Sequence, residues 1–239
     1  MVVMIIVASL LAIAFIVVRV TIGAKGVSGG VIAMFVKTIA SLGFIGLGLA
    51  GLFAGVGNVQ AAAFIIFGLV MGLIGDIVLD LKVVYLGKKE EPIYLSGGMA
   101  SFGIGHIFYF VAIYLLLGSS IVSGALIGVC LAVAAVVAFA MVLGGEKFMG
   151  FKFGNFTIHS IIYAFMLVFM GAFSIGCCIV MQNTKMALFA SGMILFLLSD
   201  VVLTQMYFGG RPTDKSLCVI NHVLYYAAQI CIAASIFGM

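Results

Sequence analysis

QAAAFIIFGLVMGLIGDIVLDL, residues 60–81, is a run of 22 residues whose only charged members are Asp76 and Asp80. An α-helix rises about 1.5 Å per residue, so roughly 20 apolar residues cross the hydrocarbon core of a bilayer. The run reads as a transmembrane helix with its acids toward one end. Comparable runs occupy most of the remaining chain, at 1–19, 31–54, 94–117, 121–143, 156–181, 186–208 and 217–237. The fold class expected is all-α: a polytopic membrane protein of about eight transmembrane helices, in one transmembrane domain over residues 1–239.

Composition points the same way. Hydrophobic residues make up 66% of the 239 and charged residues 8%, and the mean hydropathy is +1.43. A soluble domain cannot hide that much apolar surface, because its exterior must be wet. The five cysteines (Cys130, Cys177, Cys178, Cys218, Cys231) lie in or beside apolar runs without CxxC spacing, so they read as small packing residues. The first apolar run has no basic residue ahead of it and Arg19 at its end, which argues for a retained helix over a cleaved signal peptide. The net charge of +4 fits loops facing an anionic membrane surface and implies no nucleic-acid partner.

The basic residues set an orientation. Segments after helices one, three, five and seven hold Arg19, Lys25, Lys82, Lys88, Lys89, Lys147, Lys152, Arg211 and Lys215, while the opposite side holds Lys185. By the positive-inside rule the first set faces the cytoplasm, so both termini are expected on the non-cytoplasmic side. Glu90, Glu91, Glu146 and Asp214 are expected in cytoplasmic loops, and the segment 87–93 (GKKEEPI) reads as a solvated turn.

Three acids remain inside the spans: Asp76, Asp80 and Asp200. An ionisable group at the bilayer centre costs roughly 2.5–3.5 kcal/mol on insertion scales, so such groups face the bundle interior and mark function. Other polar residues fall near the same depth. Lys37 lies about two turns into helix two, His159 one turn into helix six, and His106 near the middle of helix four. Asn221, His222, Tyr225, Tyr226 and Gln229 run down helix eight. Asn221, Tyr225 and Gln229 recur every four residues and so share one helix face, as do Asp76 and Asp80. Gly68 and Gly72 permit close approach of a neighbour. A single polar site in the cytoplasmic half of the bundle is the simplest reading.

The chain also aligns with itself. GLVMGLIGDIVLD (68–80) pairs with GMILFLLSDVVLT (192–204), matching Asp76 to Asp200. GHIFYFVAIY (105–114) pairs with NHVLYYAAQI (221–230), matching His106 to His222 and Tyr109 to Tyr225; more weakly, Lys37 matches His159. This implies a parallel four-plus-four repeat, with halves of about 1–117 and 121–239. Its axis would bring Asp76 and Asp200 to opposing walls of one cavity. Paired carboxylates in a low-dielectric pocket divide into an acid and a base.

At these residues the chain resembles the YhhN-type lysoplasmalogenase family of multi-pass membrane proteins. The resemblance rests on Gly75-Asp76 with Leu79, on Phe102-x-x-x-His106-x-x-Tyr109, and on Ser199-Asp200 closing a GxxxFxxSD-like run. Tyr225, Tyr226 and Gln229 follow in the last helix, and the whole chain is covered. Lys37 is followed by Thr38 where members often carry proline, and Asp80 lies outside the shared pattern and reads as peripheral. The resemblance implies hydrolysis of the vinyl ether bond of a lysoplasmalogen to a fatty aldehyde and a glycerophospho-ethanolamine or glycerophospho-choline, with no metal or cofactor. Asp76 and Asp200 would be acid and base, in an order the sequence leaves open. His106, Tyr109, Asn221, His222, Tyr225, Tyr226, Gln229 and Asp80 are the orienting or substrate-binding candidates. Lys37, with Lys82 at the rim, would hold the lipid phosphate.

Two other classes compete with this reading. Carboxylates and histidines in repeated helices also suit a proton-coupled transporter of a small or lipidic solute, although a transporter should show a polar path on both sides. A metal-dependent membrane hydrolase would use His106, His159 and His222 with the aspartates, but neither HxxxH nor HExxH appears.

Overall fold

The computed structural model describes residues 1–85, 89–118 and 121–238, and among them it has eight long helices and no strand. They are α1 (Val2–Thr21), α2 (Val27–Phe53), α3 (Val59–Val84), α4 (Glu91–Leu117), α5 (Gly124–Met149), α6 (Thr157–Met181), α7 (Thr184–Tyr207) and α8 (Lys215–Ser235), with a 3-10 turn at Gly154–Phe156 before α6. Each is long and apolar enough to cross a membrane. Large apolar side chains such as Leu10, Phe35, Phe67, Ile107, Val136 and Ile179 point outward, while Lys37, Asp76, Asp80, His106, His222 and Gln229 are buried. That inversion of the soluble pattern is what lipid as the surrounding solvent dictates. The chain is an integral, multi-pass, all-α membrane protein, as its composition required.

Helix ends depart from expectation where charged residues carry a helix past its apolar run. α5 continues to Met149, so Glu146 and Lys147 ride its last turns and do not stand in a loop. α4 opens at Glu91 with Pro92 in its first turn, where a missing N–H costs nothing. Asp214 caps α8, its side chain accepting from the amides of Ser216 and Leu217. The turn expected at 87–93 is correspondingly shorter, and Gly87 and Lys88 within it lie outside the described residues. At the opposite end Asn58 caps α3 through the Ala61 amide and donates to the Leu115 carbonyl at 3.0 Å, tying α3 to α4.

α3 packs extensively on α4, and α7 on α8. Both contacts depend on missing side chains: a Cβ on Gly68 would run into the Tyr109 ring. One on Gly192 would lie 2.9 Å from the Ala228 carbonyl oxygen and 3.1 Å from the Ile232 amide nitrogen. Gly72 likewise faces the Gln229 amide on α8, so the close approach expected at Gly68 and Gly72 involves two different neighbours. α8 is the central helix, touching α1, α2, α3 and α7, whereas α5 leans on α6 alone among the described residues.

The pairings α1–α2, α2–α3 and α3–α4 recur as α5–α6, α6–α7 and α7–α8, and α2–α8 recurs as α4–α6. The correspondence is incomplete and does not establish the repeat: the backbones of α3 and α8 approach closely, but those of α7 and α4 do not among the described residues. α1 packs on α8, but α5 has no contact with α4 among the described residues. His159, aligned with Lys37 in the sequence, is exposed beside the Phe156 ring and does not enter the polar interior. It shares the outward face of α6 with Ile158 and Ile162.

Gly192→Val should wedge α7 from α8, because its side chain meets the Ile232 side chain at 2.7 Å and, just behind it, α8 backbone that cannot rotate away. The expected cost is about 1–3 kcal/mol, read as a lower midpoint of thermal unfolding in detergent.

Candidate active site

Lys37 stands at the centre of the polar interior. Its Nζ lies 3.2 Å from Asp76 Oδ1 and 3.5 Å from Asp80 Oδ1, and all three side chains are buried. Asp76 and Asp80, one turn apart on α3, therefore present their carboxylates to a single ammonium on α2. Two further donors converge on Asp76: Ser41 Oγ at 2.6 Å and Tyr225 Oη at 2.8 Å, both to Oδ2. Asp76 is thus bonded from α2 and α8 at once.

The stripe on α8 extends this network. Gln229 Nε2 donates to Tyr225 Oη at 3.0 Å, and Tyr109 Oη donates to Gln229 Oε1 at 3.4 Å. Tyr226 Oη lies 3.3 Å from Ser41 Oγ and donates to the Lys37 carbonyl at 3.4 Å. Asn221 Nδ2 bonds the Ser199 carbonyl at 2.8 Å, joining α8 to α7 beside Asp200. Phe15, Phe44, Phe102 and Phe196 pack on the rings of His222, Tyr225 and Tyr226 and wall the network off.

Asp200 has different company. Its Oδ2 accepts a short hydrogen bond from Tyr163 on α6, and Ser199 Oγ lies 3.4 Å from its Oδ1. No ion pair to Asp200 occurs among the described residues. One carboxyl is held by an ammonium and two hydroxyls, the other by neutral hydroxyls. This difference was invisible in the sequence, where the two aspartates were equivalent.

Two cavities meet here. A polar one of about 80 Å³ is lined by Arg19, Lys37, Asp76, Asp80, Asp200, Asn221, His222 and Tyr225 among others. An apolar one of about 350 Å³ lies between α3, α4, α5, α6 and α7, lined by residues such as Leu95, Met99, Met141, Phe151 and Leu167. Leu79, Phe102, Asp200, Leu203 and Tyr207 line both. Among the described residues, Asp200 is therefore the one carboxyl group on the shared wall. The apolar cavity occupies the gap left where α5 does not reach α4.

Most sequence candidates gather at this place, with some changes of role. Asp76, Asp200, Lys37, Asn221, His222 and Tyr225 line the polar cavity, and Tyr109, Tyr226 and Gln229 stand behind it. Asp80, expected to be peripheral, is 4% exposed and paired with both Lys37 and Arg19, because one helical turn keeps it on the face of Asp76. His106 is buried on α4; its Nδ1 bonds the Phe102 carbonyl at 2.7 Å, and its ring lies against Tyr109, Tyr163 and Phe196. It lines neither cavity. Lys82, expected at the rim as a phosphate ligand, instead lies 3.7 Å over the Tyr207 ring and 3.7 Å from Glu91. Sequence reasoning passed over Ser41, Tyr163, Tyr207 and Arg19. Ser41 follows Lys37 by four residues and Tyr207 follows Asp200 by seven, so helical spacing alone would have placed both on the active face. Tyr163 carries no such signal. Among the described residues, no three of His, Cys, Asp and Glu come together in a way that would hold a metal ion.

Among known protein families, the model of the YhhN family matches residues 32–236. No curated protein and no solved structure matches the chain.

Lys37→Met should leave two buried carboxylates short of their common cation. Breaking a buried pair in this way costs about 3–5 kcal/mol. A thermal unfolding midpoint well below the parent's is expected, with partial recovery in Lys37→Met/Asp76→Asn.

Proposed function

The chain belongs to the YhhN family, and from that premise we propose that it is a lysoplasmalogenase-type hydrolase. It would cleave the vinyl ether bond of a lysoplasmalogen to a fatty aldehyde and a glycerophospho-ethanolamine or glycerophospho-choline. The observation that carries this reading is the position of Asp200 on the wall between an apolar cavity and a charged one. A single-chain lipid laid across that wall has its tail among Leu95, Met99 and Leu167 and its head among Arg19 and Lys37. Its enol ether, the junction between tail and head, then falls at Asp200.

The two carboxyl environments supply an order for the chemistry. Asp200, with hydroxyl partners and no paired cation, carries the proton and delivers it to the β-carbon of the enol ether. The electron pair of the double bond forms the new C–H bond, and the α-carbon becomes an oxocarbenium ion. Asp76, fixed as a carboxylate by Lys37, Ser41 and Tyr225, stabilises that cation and takes a proton from the water that captures it. The resulting hemiacetal collapses to aldehyde and the glycerol hydroxyl, and the proton returns to Asp200. One water is consumed and no electrons are exchanged. The division of labour parallels that of paired carboxylates in glycoside hydrolysis.

Tyr163 orients Asp200, and Tyr225 with Gln229 orients Asp76. Both cavities lie at the end of the bundle where α1, α3, α5 and α7 finish. The positive-inside bias would make this the cytoplasmic end, with lipid entering from that leaflet and both termini on the other side.

Fatty-aldehyde release from a lysoplasmenyl lipid by the purified protein tests the proposal. Asp76→Asn and Asp200→Asn should each reduce the rate by about 10²–10⁴-fold, the range for a positioned acid or base, and Tyr163→Phe by less. Activity should survive a metal chelator. Absence of aldehyde release from any vinyl ether lipid, with protein that melts cooperatively, would refute the proposal.

A further inference from the structure

Arg19 is the cation that the aspartate chemistry leaves unused. It sits in the last turn of α1, a helix that ends before the segment matched by the YhhN family model and carries no other charge. Its guanidinium reaches the polar cavity, where Nη1 lies 3.5 Å from Asp80 Oδ2. Neither atom makes a hydrogen bond, although both are shielded from the surface. Lys37 differs: its ammonium is enclosed between Asp76 and Asp80, with 7% of its side chain exposed against 16% for Arg19. The cavity therefore has a committed, enclosed cation and a more exposed, more loosely held one beside it.

A buried donor without an acceptor is costly, and a guanidinium offers a planar fork that matches two phosphate oxygens. Asp80 can release Arg19 at little cost, because its other oxygen keeps Lys37. We propose that Arg19 is the anchor for the substrate's phosphodiester, fixing the direction in which a lysophospholipid lies across the Asp200 wall. The identity of the ligand rests on the hydrolase reading, whereas the anchoring of a lysolipid phosphate at Arg19 can be tested without catalysis. α1 thereby does for the head what the gap beside α5 does for the tail.

The first arm of the test is binding of a saturated 1-O-alkyl lysophosphocholine, which has no vinyl ether to cleave, to the full-length protein in nanodiscs. Arg19→Gln should weaken its affinity about 10- to 100-fold, the scale of a lost charge-assisted hydrogen bond, and Arg19→Lys should weaken it less. Asp80→Asn should tighten binding, since it frees the guanidinium; a merely structural ion pair predicts the reverse. In the second arm the wild type should prefer a 1-alkenyl-glycerophosphocholine to the phosphate-free 1-alkenylglycerol through KM, and Arg19→Gln should lose that preference. Arg19-dependent binding without aldehyde release would retain the anchor and remove the hydrolase. Unchanged lysolipid affinity in a folded Arg19→Gln protein, or weaker binding in Asp80→Asn, would overturn the anchor. So would competition by inorganic phosphate as effective as that of the lipid, which would mark a small-anion site.

Discussion

A single ammonium between two carboxylates, inside a bundle surrounded by hydrocarbon, is the constraint on which the site depends. In water Lys37, Asp76 and Asp80 would gain little from meeting. In a low-dielectric interior any one left alone is expensive, so the three must be brought together and kept together. The aromatic shell of Phe15, Phe44, Phe102 and Phe196, the hydroxyls of Ser41 and Tyr225, and the central placement of α8 all serve that end. Extensive packing of α3 on α4 and of α7 on α8 flanks the network and depends on glycines that let backbones close on bulky neighbours.

Asp200 escapes that constraint and gains its character by doing so. Equivalent to Asp76 in the self-alignment, it has hydroxyl partners where Asp76 has a cation. The difference traces to the outer helices. α1 closes against α8 and brings Arg19 and Phe15 to one side, while α5 stays with α6 and leaves an apolar space on the other. The bundle thus encloses unlike surroundings, charged on one side and oily on the other. An amphiphile is the kind of molecule that matches both.

The spans were legible because hydrophobic length is a local property: about 20 apolar residues in a row admit few other uses. The α8 stripe was legible for a similar reason, since residues four apart must share a face. His159 and Lys82 show where such reasoning fails. Depth along a helix can be counted from the sequence, but the direction a side chain takes around the axis depends on which neighbour its helix meets. His159 turns to the outside and Lys82 stacks on Tyr207, although the first counts to the depth of the polar site and the second to its rim. Asp80 errs the other way: it reads as peripheral in the sequence, yet lies inside the ion network.

What the sequence by itself determined was the kind of solvent, the number and type of spans, and the short set of polar residues that had to find one another in the interior. Each follows from composition, run length or helical period, which need no knowledge of packing. Tertiary structure alone decided that, among the described residues, Asp76 is salt-bridged and Asp200 is not, that Tyr163 and Ser41 join them, and that an oily cavity meets a charged one at Asp200. These depend on contacts between helices as far apart in sequence as α2 and α8. The energy of such contacts is set by distance and by the exclusion of water, neither of which is written along the chain.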